Sequence, residues 1–355
     1  MPLELIAVQP RTAEFRTYSD DFELQENQVQ IKALYGSPKH GTELNMYRGT
    51  NPFQEKTYDS HWQIFRETDA HTSPFPMGLG NMFVGAVTAL GSQVADIRVG
   101  DRVAGYGNLR ETHTVRADDV WKMPEGMAWQ AALCFDPAQY ALQGLRDSMI
   151  RFGDTTAVFG LGAIGLLAVA MAKLGGAHLV VGVDPIAKRR ETALELGADI
   201  VLDPKAVDVG LEIKKATNRR GVDCVIETSG TAHALHQAIR GTAFGGRVSM
   251  VGWYNQGLAG LNFGEEAHFN IPELVFSRAA SEPSRDYPRW TRDRIKQVCW
   301  DVLASGKIPC EKIIDPVVSF CEADSAYAYY VDQHPEESIK LGVVFPSSTS
   351  EGRND

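Results

Sequence analysis

Several features that often define a protein class are scarce in this 355-residue sequence. The cysteines number five, and no two of them form a Cys-x-x-Cys pair, so we expect reduced, buried thiols rather than a disulfide framework. No apolar run approaches the roughly 18 residues of a membrane-spanning helix. The N-terminal segment has neither the basic nor the apolar region of a signal peptide. These absences predict a cytoplasmic protein.

Positive charge is also scarce. The 35 basic side chains are outnumbered by 45 acidic ones, which gives a formal net charge of −10 at pH 7. Because nucleic acids and anionic membranes attract positive surfaces, this balance argues against both as partners and favours a small-molecule substrate. A chain of this length can build two domains, each with its own core.

The sequence does contain a glycine motif between two apolar segments. Thr155–Phe159 reads as a short buried strand and leads into a Gly-x-Gly-x-x-Gly turn at Gly160, Gly162 and Gly165. In dinucleotide sites such glycines allow a tight turn, a close approach of the backbone to the pyrophosphate and close packing of the next helix, whose N-terminal N–H groups face the anion. A second apolar strand ends at Asp184, where a carboxylate commonly binds the ribose.

Apolar strands and amphipathic helices alternate up to residue 252, which predicts a parallel sheet covered by helices on both faces. We expect strands over Leu179–Val183, Ile200–Leu202, Cys224–Glu227 and Arg247–Gly252, and helices over Ala187–Leu196, Val209–Thr217 and Ala232–Arg240. Loops at the carboxyl ends of such strands line a ligand crevice. The predicted dinucleotide-binding residues are Gly160, Gly162, Ala163, Ile164, Gly165, Asp184, Arg189, Thr228, Ser229, Gly230, Val251, Gly252, Trp253, Ser277 and Arg278.

The residues before Trp129 carry short alternating apolar runs separated by glycines, a pattern that is typical of a β-rich domain. Helical spacing begins at Trp129. We therefore divide the chain into residues 1–137, 138–278 and 279–355, with the dinucleotide-binding domain in the middle and a return to the first domain at the end. The tail from residue 347 is expected to be disordered.

A long polar segment separates Gly49 from Leu79 and contains His61 and His71. Loops of this length are usually functional or disordered. We interpret the segment as an active-site lid or an oligomer contact in which the two histidines are solvated.

Four further segments stand out: His40–Asn45, Leu79–Gly85, Val99–Val103 and Phe135–Pro137. They resemble motifs of the medium-chain dehydrogenase/reductase family, and in particular of the zinc-type alcohol dehydrogenases, and the match extends over nearly the whole chain. The resemblance implies an α/β protein with a GroES-like β-rich catalytic domain plus a Rossmann doubly wound parallel sheet. It also implies a homodimer or a homotetramer.

The sequence departs from that family at the metal positions. In zinc-dependent members the catalytic metal takes a cysteine, a histidine and an acid from these segments, whereas this chain has His40, Asn81, Met82 and Asp136 there. Asparagine and methionine are poor zinc ligands, and two ligands alone seldom hold a catalytic metal. The four-cysteine lobe of the family's structural zinc is absent as well. The sequence therefore predicts neither zinc ion.

Without zinc, alcohol oxidation still needs a base for the hydroxyl proton and a group that stabilises the developing negative charge. The resemblance places His40 at the first metal position, where its ring could serve both purposes, and Asp136 could orient that ring. Alternatively, His40 is a hydrogen-bonded loop histidine and Asp136 is a helix N-cap before Pro137. The other candidate catalytic residues are Lys39, Thr42, Asn45 and Asn81.

The cofactor preference depends on Asp184. Its carboxylate would accept hydrogen bonds from the ribose diol and would repel a 2′-phosphate, which favours NAD over NADP. Lys188 and Arg189 lie close to it in the sequence, and their positive charge reduces that discrimination if they face the ribose.

An arginine-rich passage follows the predicted sheet and contains Arg278, Arg285 and Arg289. Their guanidinium groups could bind a carboxylate, a phosphate or a sugar hydroxyl. They could equally form surface ion pairs with Glu282 and Asp286.

These observations predict a zinc-independent, NAD-dependent oxidoreductase that transfers hydride between nicotinamide and a secondary alcohol, polyol or sugar-like hydroxyl. One alternative is a zinc-free quinone or enone reductase of the same family, although such relatives mostly prefer NADPH. Another alternative, from a different class, is a dinucleotide-binding protein without catalytic activity.

Overall fold

The structure is a computed structural model that describes residues 1–20, 23–50, 56–67, 73–255, 257–279 and 281–346. The chain forms two compact units, one from Met1–Leu133 together with Ile314–Asp355, as far as these are described, and one from Cys134–Ile313. The return to the first domain is predicted at residue 279, whereas the described residues between 279 and 313 belong to the second unit. There Trp300 packs edge-on against Phe135, with ring centroids 5.3 Å apart. The tail predicted to be disordered lies outside the described residues.

The first part of the first unit is mostly β-structure. Its strands are β1 (Leu3–Gln9), β2 (Thr12–Thr17), β3 (Gln28–Ser37), β4 (Lys56–Asp59), β5 (Ile64–Glu67), β6 (Met77–Gly78), β7 (Met82–Leu90), β8 (Arg102–Tyr106), β9 (Thr112–Arg116) and β10 (Val120–Lys122), and its helices are α1 (Thr42–Tyr47) and α2 (Trp129–Leu133). In β3, Val29, Ile31 and Ala33 are buried between partly exposed neighbours. That period of two places one face of the strand against a core.

The long segment after Gly49 contains a hairpin of β4 and β5 and the short strand β6. Trp62 and Phe65 of the hairpin are exposed to solvent, and so is His61. His71 lies outside the described residues. The role of this segment as a lid or an oligomer contact remains a prediction.

The second unit alternates helices with strands. Its helices are α3 (Phe135–Asp147), α4 (Ala163–Leu174), α5 (Ala187–Glu195), α6 (Val209–Ala216), α7 (Ala232–Gly241), α8 (Glu266–Asn270) and α9 (Arg292–Ala304), and its strands are β11 (Thr155–Phe159), β12 (Leu179–Val183), β13 (Ile200–Leu202), β14 (Val222–Glu227), β15 (Thr242–Met250) and β16 (Glu273–Phe276). The strands pair in parallel in the order β13-β12-β11-β14-β15-β16. This arrangement confirms the predicted Rossmann-type sheet.

The centre of this sheet is β11, and all five of its residues are buried. Burial on both faces explains why this strand, Thr-Thr-Ala-Val-Phe, shows no alternation of apolar and charged residues. The strand order reverses between β11 and β14. In doubly wound sheets the ligand crevice opens at the carboxyl ends of the strands at this reversal.

The chain then returns to the first unit through β17 (Ile314–Ser319), α10 (Ala323–Ala326) and β18 (Lys340–Val344). Strand β18 lies between β17 and β3 and completes the sheet β10-β8-β7-β3-β18-β17, in which β9 also pairs with β3. Strands β2, β1 and β6 form a separate small sheet. The two ends of the chain therefore share one sheet, and the predicted combination of a GroES-like unit with a Rossmann unit is confirmed. In the described part of the chain, every helix is too short or too polar to cross a membrane.

Candidate active site

The glycine turn of the second unit follows β11 directly. Gly160 has φ +83°, in the left-handed region that favours glycine, and its N–H donates to the carbonyl of Val183 at 2.9 Å. A Cβ on Gly165 would lie 1.8 Å from the carbonyl oxygen of Gly160, whereas a Cβ on Gly162 would meet no protein atom within 4 Å. Packing therefore explains Gly160 and Gly165. Gly162 instead leaves open space at the N-terminus of α4, next to Ala163 and Ile164, as a pyrophosphate site requires.

Asp184, at the end of β12, is only 4% exposed. Its Oδ2 accepts the N–H of Leu161 at 2.7 Å and its Oδ1 accepts the N–H of Ile186 at 2.8 Å. The guanidinium of Arg189 lies 4.0 Å from the same carboxylate. The carboxylate is thus fixed against the glycine turn, and since each oxygen can accept more than one hydrogen bond, capacity remains for a ribose hydroxyl.

The two predicted loops at the ends of β14 and β15 lie together. Thr228 donates through its N–H to Phe159 and through its hydroxyl to Gly160, both at 2.8 Å. Gly230 has φ +68°, and a Cβ there would lie 3.0 Å from the carbonyl oxygen of Trp253. Segment 228–230 therefore adjoins the glycine turn, and segment 251–254 lies against segment 228–230 at the carboxyl ends of the strands.

Glu227, the last residue of β14, was not among the predicted site residues. It is fully buried, and its carboxylate accepts the N–H groups of Ser229 at 2.8 Å and Gly230 at 3.1 Å together with the hydroxyls of Ser229 and Tyr254. Loss of hydration raises the pKa of this carboxyl group, and the hydrogen bonds oppose the rise. The sequence signal that could have identified it is an acid at the end of an otherwise apolar strand.

The arginine-rich passage makes a different set of contacts from those proposed. Ser277 is buried and donates its hydroxyl to Asp147 at 2.6 Å, and Arg285 lies 3.6 Å from the same carboxylate. Asp286 pairs with Arg146 of α3, which lies outside the passage. Arg278 and Arg289 carry exposed side chains. The passage is anchored through Asp147 of α3 because that buried carboxylate needs nearby donors.

In the first unit, His40 lies just before α1. Its Nε2 accepts the N–H of Leu341, at the start of β18, at 3.0 Å. The tautomer that matches this hydrogen bond has its hydrogen on Nδ1. In this arrangement Nδ1–H can donate a hydrogen bond, and the role of His40 as the general base remains a prediction.

Two buried ionisable residues, Glu43 and Lys340, lie close to the loop that contains His40, and neither was predicted from the sequence as a site residue. Glu43 accepts the hydroxyl of Tyr327 at 2.8 Å and the N–H of Gly80 at 3.1 Å. Burial raises its pKa to about 7, while these bonds and the charge of Lys340 act against the rise. Lys340 is 3% exposed and donates from Nζ to the carbonyl of Pro38 at 2.6 Å. Glu43 and Lys340 lie 297 residues apart in the numbering, so local sequence patterns contain no sign of this arrangement.

The remaining candidates of the first unit lie within five residues of His40 or at the start of β7. Asn81 donates its backbone N–H to Ser37 at 3.0 Å, and its side-chain Nδ2 is buried with no hydrogen-bond partner among the described residues. Met82 is wholly buried at the start of β7. Thr42 begins α1 and is exposed, while Lys39 and Asn45 are half-buried.

Asp136 belongs to the second unit. It is 7% exposed and occupies the first turn of α3, whose N-cap is Cys134. The alternative interpretation of Asp136 as an N-cap is therefore wrong, because the helix begins one residue before it.

Two family models match the chain. The model of the alcohol dehydrogenase GroES-like domain matches residues 27–125, and the model of the zinc-binding dehydrogenase matches residues 163–288. The two matches fall on the first and the second unit respectively.

Individual proteins match over longer stretches. The D-guloside 3-dehydrogenase of Escherichia coli K12 is 47% identical over 352 residues, covering 96% of this chain and 99% of the relative. The sorbitol dehydrogenase of Bacillus subtilis 168 is 30% identical over 303 residues, covering 77% of this chain and 82% of the relative. A solved structure from Sinorhizobium meliloti 1021, bound to NADP, has a TM-score of 0.76 at 22% identity and covers 97% of this chain and 99% of that one.

Proposed function

The chain belongs to the zinc-type alcohol dehydrogenase family and is an alcohol or polyol dehydrogenase-like oxidoreductase acting on a small molecule, and from this premise we propose that it is a zinc-independent, NAD-dependent dehydrogenase of a sugar or sugar-like secondary alcohol. The observation that carries the cofactor part is the glycine turn. Gly162 leaves its side-chain position open to a ligand, and Asp184 is fixed beside the turn. This cradle suits a pyrophosphate and a ribose diol.

The preference for NAD over NADP rests on charge. Asp184 holds a carboxylate at the edge of the turn, and a 2′-phosphate would bring two further negative charges close to it. Arg189 lies 4.0 Å away and offsets part of this repulsion. The other proposed cofactor contacts are Thr228, Ser229, Gly230, Val251, Gly252, Trp253, Ser277 and Arg278.

The donor groups of the first unit fit a catalytic zinc poorly. At the family's metal positions His40 has its Nε2 lone pair engaged by Leu341, Asn81 offers an amide and Met82 is a buried thioether. Zinc prefers thiolate, free imidazole nitrogen and carboxylate ligands. In the described part of the chain, the residue groups with metal-like spacing are His236 with Glu265 and Glu266, and His334 with Glu336 and Glu337. Neither group includes a residue of the proposed site.

The chemistry requires loss of a hydride from carbon and of a proton from oxygen. Bound NAD would accept the hydride. We assign to His40 the stabilisation of the developing alkoxide, because its Nδ1–H is a donor while Leu341 occupies Nε2. The buried Nδ2 of Asn81 is a second donor for that oxygen. Asp136, Thr42, Asn45 and Lys39 remain proposed catalytic residues.

The relatives support the proposed substrate class. A D-guloside 3-dehydrogenase and a sorbitol dehydrogenase both act, by their names, on hydroxyl groups of carbohydrates. A screen for NAD reduction should therefore include D-gulosides, other glycosides, free sugars and polyols. Turnover of one of these compounds supports the proposal, whereas turnover of enones with NADPH and of no alcohol would favour the reductase alternative.

The proposed zinc independence is tested by a separate experiment. We expect that protein stripped with a chelator and checked by elemental analysis retains the turnover of the untreated protein. One tightly bound zinc per chain, with activity lost on its removal and restored on its addition, would contradict zinc independence.

We further propose that the chain works as a homodimer or homotetramer in the cytoplasm. Size-exclusion chromatography with light scattering measures the first property, and cell fractionation measures the second. A monomer that is fully active at assay concentration would contradict the oligomer.

A further inference from the structure

We propose that Glu227 is a positioning residue for the dinucleotide, because its carboxylate holds both loops of the second unit that line the cofactor crevice. The inference rests on the proposed function, since it presumes that these loops bind a dinucleotide. It concerns a residue that neither touches the glycine turn through its own side chain nor belongs to the motif.

In the first loop, residues 228–230, each oxygen of the Glu227 carboxylate accepts one backbone N–H group. Oε1 accepts the backbone N–H of Ser229 at 2.8 Å, and Oε2 accepts the backbone N–H of Gly230 at 3.1 Å. Successive N–H groups that point to one carboxylate fix the backbone of a loop. This arrangement holds Gly230 in its left-handed conformation beside Trp253.

The second loop is held by the same residue through two routes. The backbone carbonyl of Glu227 accepts the N–H groups of Val251 at 2.8 Å and Gly252 at 3.0 Å. The hydroxyl of Tyr254 donates to Oε2 of the carboxylate. The hydrogen bond from Tyr254 to Glu227 therefore links the two loops through side chains alone, and we call it the tether.

The position of Glu227 explains why the tether matters for a ligand. Its strand register pairs it with Phe159, the residue directly before the glycine turn. Thr228, the next residue, hydrogen-bonds to Gly160. A shift of the Glu227 loops therefore moves the wall of the crevice that adjoins the turn.

A carboxylate suits this place better than its neutral analogue. In Glu227→Gln one oxygen becomes an NH₂ group, which cannot accept a hydrogen bond. Ser229 and Tyr254 can rotate their hydroxyls to accept instead, but one backbone N–H of Ser229 or Gly230 then faces a donor. A buried unpaired N–H is costly, so the loop is expected to adopt another conformation.

The experiment measures NADH binding by fluorescence and steady-state constants for NAD and for the alcohol. We expect Glu227→Gln to weaken NADH binding by about tenfold, which corresponds to an equilibrium change of about 1.4 kcal/mol. We expect Tyr254→Phe to weaken it about threefold with an unchanged melting temperature. Both variants should raise KM for NAD and leave KM for the alcohol within twofold, a split that general loss of structure would not produce.

Matched controls and a double variant complete the design. Glu212→Gln and Tyr287→Phe change exposed or half-exposed residues of the same unit and should bind NADH as the wild type does. The double variant Glu227→Gln/Tyr254→Phe should be no weaker than Glu227→Gln alone, because the tether acts through the carboxylate.

The outcomes separate the two proposals. Wild-type protein that binds neither NADH nor NADPH contradicts the proposed function. Wild-type protein that binds NADH while Tyr254→Phe binds it equally well overturns the role of Glu227 as a link between the loops. That result is decisive even if Glu227→Gln fails to fold.

Discussion

Two buried residues of the first unit, His113 and Glu43, affect how the free energy of unfolding depends on pH. His113 is 4% exposed and stacks on Phe83 with ring centroids 3.8 Å apart, and burial lowers its pKa to about 3. Glu43 is also buried, and its pKa is raised to about 7. In the folded chain both groups favour the neutral form near pH 6. Their contributions to stability therefore change with pH in opposite directions.

The contribution of His113 to the free energy of unfolding is present above the unfolded pKa of 6.5 and is lost as the pH falls toward 3. Between pH 7.5 and pH 5 the loss amounts to about 2 kcal/mol. We expect His113→Phe to remove it, so that the variant gains stability relative to the wild type as the pH falls. Urea unfolding at both pH values measures the difference. The exposed His61 supplies the control, and His61→Phe should leave the pH dependence of the wild type unchanged.

The contribution of Glu43 to the free energy of unfolding has the opposite pH dependence. It is present below the unfolded pKa of 4.5 and is lost as the pH rises through about 7. We expect Glu43→Gln to be stabilised relative to the wild type by about 2 kcal/mol more at pH 7.5 than at pH 5. Equal differences at the two pH values in the same unfolding experiment would mean that the carboxyl group is already ionised throughout this range.

At the scale of elements, the strands and helices of the second unit were well predicted. Leu179–Val183 and Ile200–Leu202 have the predicted bounds, and α6 and α7 differ by one residue at one end. Such patterns are local, because periodicity and helix termini depend on neighbouring residues. The predicted strand over Arg247–Gly252 instead begins at Thr242, since pairing with Val222 extends β15 through glycines that carry no strand signal.

In the glycine turn, we expect alanine at Gly165 and alanine at Gly162 to affect stability and cofactor binding differently. Gly165→Ala should destabilise the second unit, because its Cβ would lie 1.8 Å from the carbonyl oxygen of Gly160. Gly162→Ala should leave the melting temperature nearly unchanged, because its Cβ meets no protein atom within 4 Å. It should nevertheless weaken NADH binding by about tenfold or more if the pyrophosphate approaches this backbone. Calorimetry and fluorescence titration test the two halves separately, and Gly162→Ala that binds NADH normally would place the pyrophosphate elsewhere.

At the scale of the whole molecule, the first unit depends on contacts between the two ends of the chain. Asp332, buried after α10, accepts hydrogen bonds from Arg11 at 2.9 Å and from Arg48 at 2.6 Å. Phe15 packs edge-on against Phe320 with ring centroids 5.1 Å apart. The buried cluster beside these contacts contains residues of both ends, among them Leu5, Tyr47, Leu341 and Val343.

We therefore expect Asp332→Asn to lower the stability of the first unit by about 3 kcal/mol, because two guanidinium groups lose a buried countercharge. Thermal unfolding monitored by near-UV circular dichroism measures the effect. Asp59→Asn removes the exposed ion pair with Arg66 on the hairpin and should change the melting temperature little. Equal effects of the two variants would mean that burial does not strengthen the Asp332 contacts.

The sequence by itself determined the family, the two kinds of unit and the dinucleotide motif of Gly160, Gly162, Gly165 and Asp184, because these depend on local spacing and on short segments. Only the tertiary structure decided which nitrogen of His40 accepts a hydrogen bond. It also revealed the buried ionisable side chains of Glu43 and Lys340 and the hydrogen bonds that join Glu227 to two loops. These arrangements join residues that are distant in the chain, and the cost of burying polar groups fixes their partners only after the chain has folded.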